Sequence, residues 1–342
     1  MIHAGKMSII LDGQFGSTGK GLIAGYMARM YHADIFCSSL SPNAGHTYRE
    51  YDGTRIMVKQ IPVGLTITRR SMAYLTAGSI IEPISFLSEL DAYGIDHDRV
   101  IIHPAAAVVS ADDISSEANP SSSYARIAST ASGTGSALSA KIMRSATLAG
   151  QHPLLAPFCK PFDLSWHLDQ GCSAIMETAQ GFSLGINAGF YPYCTSRDIS
   201  VSQALSDARL HPSYLGDTIM SLRTYPIRVG NTANGTSGPF YPDSEETSWE
   251  ALKQIPELTT VTKRVRRVAT FSEQQFKDAA AIIRPDHVFL NFLNYASTRK
   301  ELSMYARILK GYNVLVGTGP CLEDVHHIGS AQGIRTYTGL FS

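Results

Sequence analysis

The stretch Gln14-Phe15-Gly16-Ser17-Thr18-Gly19-Lys20-Gly21 decides the reading of this chain. Before it, Met7-Ser8-Ile9-Ile10-Leu11 has the character of a short buried strand; after it, Leu22-Ile23-Ala24-Gly25-Tyr26-Met27-Ala28 has a helical pattern. Glycines at a strand-to-helix turn let the backbone approach a ligand closely, and the amides at a helix start favour an anion. Lys20 adds a mobile positive charge. The stretch therefore reads as a phosphate cradle built by Gly16, Ser17, Thr18, Gly19, Lys20 and Gly21.

The spacing excludes the commonest cradle. A P-loop has four residues between its first glycine and Gly-Lys, followed by Ser or Thr. Here Gly13 to Gly19 leaves five, Gln14 stands where that glycine would be, and Gly21 follows Lys20.

Outward from this turn, composition narrows the function classes. A chain of 342 residues with 44% hydrophobic content can bury a substantial core. Lys plus Arg balances Asp plus Glu at 29 each, so no global field favours nucleic acid or a membrane. Five cysteines (Cys37, Cys159, Cys172, Cys194, Cys321) lack metal-type spacing, and their odd count argues against a disulfide framework. No apolar run approaches the roughly 20 residues of a membrane span, and Asp12 with the glycines interrupts any signal-peptide pattern. The expectation is a cytoplasmic protein.

Short β-type runs alternate with helical stretches. Val100-Ile101-Ile102, Val288-Phe289-Leu290 and Tyr312-Asn313-Val314-Leu315-Val316 read as strands, Ser272 to Ile283 as a helix capped by Ser272, and Tyr295 to Lys310 as a second helix. The alternation predicts an α/β protein with a large, mainly parallel central sheet flanked by helices. Ala111 to Gly135 and Asn231 to Ser248 are small and polar, and read as long functional loops. No repeat or linker divides the chain, which predicts a single domain over 1–342.

A second motif, Asn43-Ala44-Gly45-His46-Thr47, is followed by Ile61-Pro62-Val63-Gly64-Leu65. With the Gly-rich turn it resembles adenylosuccinate synthetase, the ligase that joins aspartate to a 6-oxopurine nucleotide. The family loop runs Gly-Gln-Trp-Gly-Asp-Glu-Gly-Lys-Gly. The resemblance continues through Glu177-Thr178-Ala179-Gln180-Gly181, Tyr191-Pro192-Tyr193-Cys194-Thr195-Ser196, Arg228-Val229-Gly230 and Gly317-Thr318-Gly319-Pro320.

The resemblance implies the family's fold, its activity, Mg2+ and a homodimer. It implies that His46 is the general acid near O6, that the Gly45 carbonyl is a magnesium ligand, and that Lys20 and Gln180 belong to the catalytic set. Imidazole, titrating near neutrality, suits the acid role. Thr47, Gly319 and Pro320 fall with the triphosphate. Asn43, Ser129, Thr130, Thr195, Gln180 and Val229 fall with the purine monophosphate, and Arg144 matches an arginine reaching its 5′-phosphate from the neighbouring subunit. The basic run Thr259-Thr260-Val261-Thr262-Lys263-Arg264-Val265-Arg266-Arg267 matches the loop that closes on aspartate, with Arg264 the carboxylate clamp and Arg266 nearby. Lys263 replaces a usual glycine.

Two departures bear on the substrate. Ser17 replaces the family aspartate that serves as base at purine N1 and as a magnesium ligand. A hydroxyl is smaller and uncharged, and it can accept from a 2-amino group beside N1; this points from inosinate toward dGMP. Asn294 replaces the aspartate that pairs with the guanine of GTP, which points toward ATP or dATP as donor. Both changes resemble the family's phage-encoded branch. Two alternatives stand beside this reading: an enzyme acting on IMP with Asp12 as the base, and a nucleotide-binding regulator without turnover.

Overall fold

The computed structural model describes residues 1–259 and 263–336. Nine strands form its central sheet: β1 (Met7–Asp12), β2 (Ile35–Ser38), β3 (Met72–Leu75), β4 (Val100–Ile102), β5 (Ala174–Glu177), β6 (Leu215–Arg223), β7 (His287–Asn291), β8 (Asn313–Gly317) and β9 (Val325–Ser330). Their order is β9-β8-β7-β6-β1-β5-β2-β3-β4. Every pairing is parallel except that of β8 with β9. The expected mainly parallel α/β architecture is what the chain adopts.

The central strands are apolar because both faces are covered. Met7, Ile9 and Leu11 point into one layer of the core with Met220, Leu222, Val288 and Leu290. Ile10, Ile175, Ile219 and Phe289 point into the other, against the helix Lys20–Tyr31. At roughly 25 cal/mol per Å2 of apolar surface, these two layers are the main favourable term for the fold.

The strands' carboxyl ends carry the loops that matter. The Gly-rich turn follows β1, the Asn43 motif follows β2, Gln180 follows β5, Arg223 closes β6, Asn291 closes β7 and Gly319 follows β8. Ligands of open α/β sheets bind at this edge. The antiparallel pair His46–Arg49 and Arg55–Val58 folds over it.

Two expectations change. Ala111 to Gly135 is not one loop: Ala111–Ala118 and Ser123–Arg126 are helical, the first opened by a reciprocal capping pair between Ser110 and Asp113. The expected helix from Tyr295 begins later, at Arg299, because Thr298 caps it with Glu301 after a tight 3-10 turn at Leu293–Tyr295. The helix Glu273–Ile283 has Ser272 as its cap, as expected. Asn231 to Ser248 is irregular apart from the strand Glu246–Thr247. Among the described residues no helix is long and apolar enough to cross a membrane.

Candidate active site

Asp12, at the end of β1, organises the Gly-rich turn. Its fully buried carboxylate accepts from the Gln14 amide (2.8 Å), the Gly16 amide (3.2 Å), the Thr18 amide (3.3 Å), the Thr18 hydroxyl (2.6 Å) and Lys20 Nζ (3.5 Å). Such saturation fixes the turn's shape and leaves Asp12 no free lone pair for a substrate proton. Gly19 has φ 97°, and a Cβ there would come within 2.0 Å of Asn291 Nδ2. A Cβ on Gly21 would meet the Thr47 backbone N at 2.6 Å. These glycines let β1, β7 and the His46 strand converge.

Above this turn lies a cavity of about 510 Å3. Gly16, Ser17, Gly19, Lys20, Gly21, Asn43, Gly45, His46, Thr47, Thr130, Gln180, Val229, Thr259, Arg266, Asn294, Gly319 and Pro320 all line it, as the resemblance implies. A smaller hollow of about 170 Å3 shares Asn43, Thr130, Gln180 and Val229 and adds Ser129 and Thr195. The two hollows thus adjoin through these shared residues.

Inside it, His46 Nδ1 lies 2.9 Å from a carboxylate oxygen of the fully buried Glu177, whose other oxygen accepts from the Gly64 amide. His46 Nε2 is buried without a protein partner. A carboxylate that holds Nδ1–H fixes the ring and presents Nε2 to the cavity. Lys20 Nζ donates to the Gln180 carbonyl at 2.5 Å, and burial pulls its ammonium below the usual lysine range despite Asp12. Gln180, in a left-handed conformation (φ 61°), donates its side-chain amide to Asn43 Oδ1 at 3.0 Å.

Ser17 is exposed at the cavity, also left-handed (φ 57°), and its Oγ accepts from Arg266 Nη1 at 2.5 Å. Burial lowers Arg266 to about 10, opposed by Glu257. Arg228 was not anticipated as a site residue. It is 3% exposed, stacks 4.3 Å from the Phe15 ring centroid, and is pulled down to about 9 by burial and then by Arg267. Glu177 was missed too, although its place inside the quoted Glu177 to Gly181 motif signals it.

Three of the expected site residues, Thr18, Arg264 and Arg144, do not line either hollow. Thr18 is buried beneath the turn, with hydroxyl and amide both bound to Asp12, so its side chain does not face the triphosphate. Arg264 does not line the cavity: its guanidinium donates to the carbonyls of Gly230, Ala128 and Ser129, tying two loops together. Arg266 lines the cavity instead, and Lys263, where the family usually has glycine, is left-handed at φ 55°. Arg144 is exposed and outside both hollows, bonding the Ile142 carbonyl. The expected aspartate contacts Thr260, Val261 and Thr262 lie outside the described residues.

Comparison with known proteins agrees with this geometry. The adenylosuccinate synthetase family model matches residues 9–156 and 160–313. The N6-succino-2-amino-2′-deoxyadenylate synthase of Vibrio phage phiVC8 is 38% identical over 340 residues, covering 94% of this chain and 97% of that protein. The succinoaminodeoxyadenylate synthetase of Cyanophage S-2L, solved bound to dGMP and dATP as an energy donor, superposes with a TM-score of 0.87 at 36% identity, covering 97% of this chain and 98% of that one. Adenylosuccinate synthetase from Plasmodium falciparum shares the fold, with a TM-score of 0.71 at 20% identity over 91% of this chain and 79% of that one. The chain belongs to the adenylosuccinate synthetase family.

Proposed function

We infer that this protein is a carbon–nitrogen ligase that joins L-aspartate to C6 of dGMP, with hydrolysis of a nucleoside triphosphate, to give 2-amino-2′-deoxyadenylosuccinate. The observation that carries the reading is Ser17: a neutral hydroxyl exposed at the cavity where the wider family places a carboxylate. A carboxylate there would crowd a purine 2-amino group, whereas a hydroxyl accepts its hydrogens. The likeness to phage enzymes, one of them bound to dGMP and dATP, supports it.

The chemistry follows from the residues. A purine O6 leaves poorly, so it is phosphorylated first: N1–H gives its proton to water, O6 takes the γ-phosphoryl group and the nucleoside diphosphate departs. The aspartate amine then attacks C6, phosphate leaves and the amine's proton passes to solvent. His46 Nε2 donates to O6 as charge develops, with Glu177 holding the ring. Lys20 and the amides of the Gly-rich turn take the phosphates. Gln180 and Asn43 hold the purine nucleotide, and Ser129, Thr130 and Thr195 bind its 5′-phosphate, a reading supported by their lining one hollow together. Arg266 takes an aspartate carboxylate, and Asn294 lies on the cavity wall where the donor base binds, suiting ATP or dATP. Asp12 is no base, because its oxygens are already saturated.

Mg2+, implied by the resemblance, would be held chiefly by triphosphate oxygens beside the Gly-rich turn; among the described residues no group of three His, Cys, Asp or Glu side chains could hold a metal. Of the two protein donors the resemblance implies, Gly45 lines the cavity, and Ser17 fits less well, with the Arg266 cation on its hydroxyl. When bound, the ion neutralises charge between the phosphates. Arg144, exposed on its protomer, acts in trans on the monophosphate of a homodimer's second site. The five free cysteines suit a reducing cytoplasm.

The test is product analysis by mass with purified protein, aspartate, Mg2+ and ATP or dATP, with dGMP and IMP in separate reactions. An aspartate adduct of dGMP is expected. Nucleotide binding by calorimetry without aspartate-dependent phosphate release from either acceptor would instead identify a regulator.

A further inference from the structure

Among the described residues the largest fully buried side chain is a cation, Arg223, at the carboxyl end of β6 in register with Asn291 of β7. An uncompensated guanidinium there would be strongly unfavourable. Three loops compensate it. Nη1 and Nη2 fork onto the Glu257 carboxylate at 3.1 and 2.5 Å, and Nη1 also donates to the Ser17 carbonyl at 3.2 Å. The guanidinium carbon lies 4.0 Å from the centroid of the Phe292 ring. Glu257 further accepts from the Tyr295 hydroxyl at 3.3 Å, and the Tyr295 ring meets Phe292 edge-on.

Each partner leads to a different ligand. The Glu257 carbonyl accepts the Arg266 amide at 2.8 Å, so Glu257 anchors the segment that carries the aspartate-facing arginine. Phe292 lines the cavity one turn from Asn294, held in a left-handed conformation (φ 57°) that an aromatic residue adopts only when its surroundings impose it. A planar ring with a guanidinium on one side is suited to stack on a purine base.

We propose that Arg223 is a positioning residue that couples the donor-base platform at Phe292 to the aspartate segment Glu257–Arg266 and to Ser17, so that triphosphate binding improves aspartate binding. The coupling is reciprocal by linkage. The proposal rests on the ligase reading above. Arg223 touches no substrate, and it acts by fixing the relative placement of three loops that do.

The experiment compares R223K, E257Q and F292L with the parent protein. Lysine keeps the charge but loses the planar fork. Expected in R223K and E257Q are a rise of roughly fivefold or more in the aspartate KM and a threefold or greater weakening of ATP binding by calorimetry, with kcat falling less. F292L, which does not reach aspartate and loosens no ion pair, is expected to raise the aspartate KM roughly threefold. A lowered Tm with both ligand affinities within twofold of the parent overturns the proposal, as does a loss confined to one ligand. If R223K and E257Q do not fold, an unchanged aspartate KM in F292L overturns it alone. Failure of the ligase reading is seen separately, as absence of dGMP turnover in the parent; calorimetric ATP affinity with and without aspartate then decides the coupling.

Discussion

Arg266 Nη1 stands 2.5 Å from Ser17 Oγ, so the residue that distinguishes this cradle from the wider family is in direct contact with the arginine of the aspartate segment. In the function proposed above, acceptor and aspartate recognition meet at this one hydrogen bond. A serine neutral at all working pH values leaves the Arg266 charge available to a substrate carboxylate, whereas a carboxylate at this position would hold it.

S17D is accordingly expected to change specificity and not only rate. The new, larger carboxylate would pair with Arg266 and crowd the 2-amino side of guanine. The ratio of kcat/KM for IMP to that for dGMP is expected to rise by about tenfold, which corresponds to ~1.4 kcal/mol of discrimination. An unchanged ratio refutes the role given to Ser17.

In the proposed mechanism His46 is the acid and Glu177, 2.9 Å from its Nδ1, the holder. H46N is expected to lower kcat by about 10²–10⁴-fold, the range for loss of a general acid. E177Q keeps a hydrogen bond to the ring without fixing its protonated form, and is expected to lower kcat by less, with the dGMP KM within a few-fold of the parent. Steady-state kinetics of both variants reads this split; a dGMP KM that rises while kcat holds contradicts it.

The two arginines of the basic run separate by ligand. R266A is expected to raise the aspartate KM roughly 10- to 100-fold, as for loss of a charge-assisted hydrogen bond of ~1.5–3 kcal/mol. R264A releases the loops at Gly230 and Ser129 and is expected to lower Tm and weaken dGMP binding more than aspartate binding. Equal effects of both variants on the aspartate KM would show that Arg264 also reaches aspartate.

Acid sensitivity of the fold is expected from Asp217. Burial works to raise its carboxyl, but His287, His3 and the terminal amino group outweigh it and hold the group below the usual carboxylate range. A folded value below the unfolded one, about 3.9, means stability present above that pH and lost as pH falls through the folded value. D217N is expected to lower Tm at pH 7, with the difference from the parent shrinking below about pH 4. A constant difference from pH 7 to pH 3 refutes the assignment.

Much of the site was legible because its demands are local. The Gly16 to Gly21 turn and the Asn43 to Thr47 motif need residue types that only close backbone approach explains, as the Asn291 contact at Gly19 bears out. Apolar runs such as Val100–Ile102 named strands that are buried on both faces. What escaped depends on distant partners. The helix Ala111–Ala118 hides in a small polar stretch whose one signal is the Ser110–Asp113 cap. Arg264 and Arg266 differ by two positions in a basic run, and they are told apart only by distant partners, the Gly230, Ala128 and Ser129 carbonyls for one and the Ser17 hydroxyl for the other. Arg223 announced itself only as a lone charge closing Ile219-Met220-Ser221-Leu222; its partners at Glu257 and Phe292 lie 34 or more positions away in the chain.

The central claim, that a serine inside the phosphate cradle selects a guanine deoxynucleotide, is tested most directly by competition. Purified protein is given equimolar dGMP and IMP with aspartate, Mg2+ and ATP, and the two aspartate adducts are quantified by mass. The account predicts that the dGMP adduct dominates by at least about tenfold, a difference of ~1.4 kcal/mol in transition-state binding. A mixture dominated by adenylosuccinate, with no detectable dGMP adduct, would contradict it.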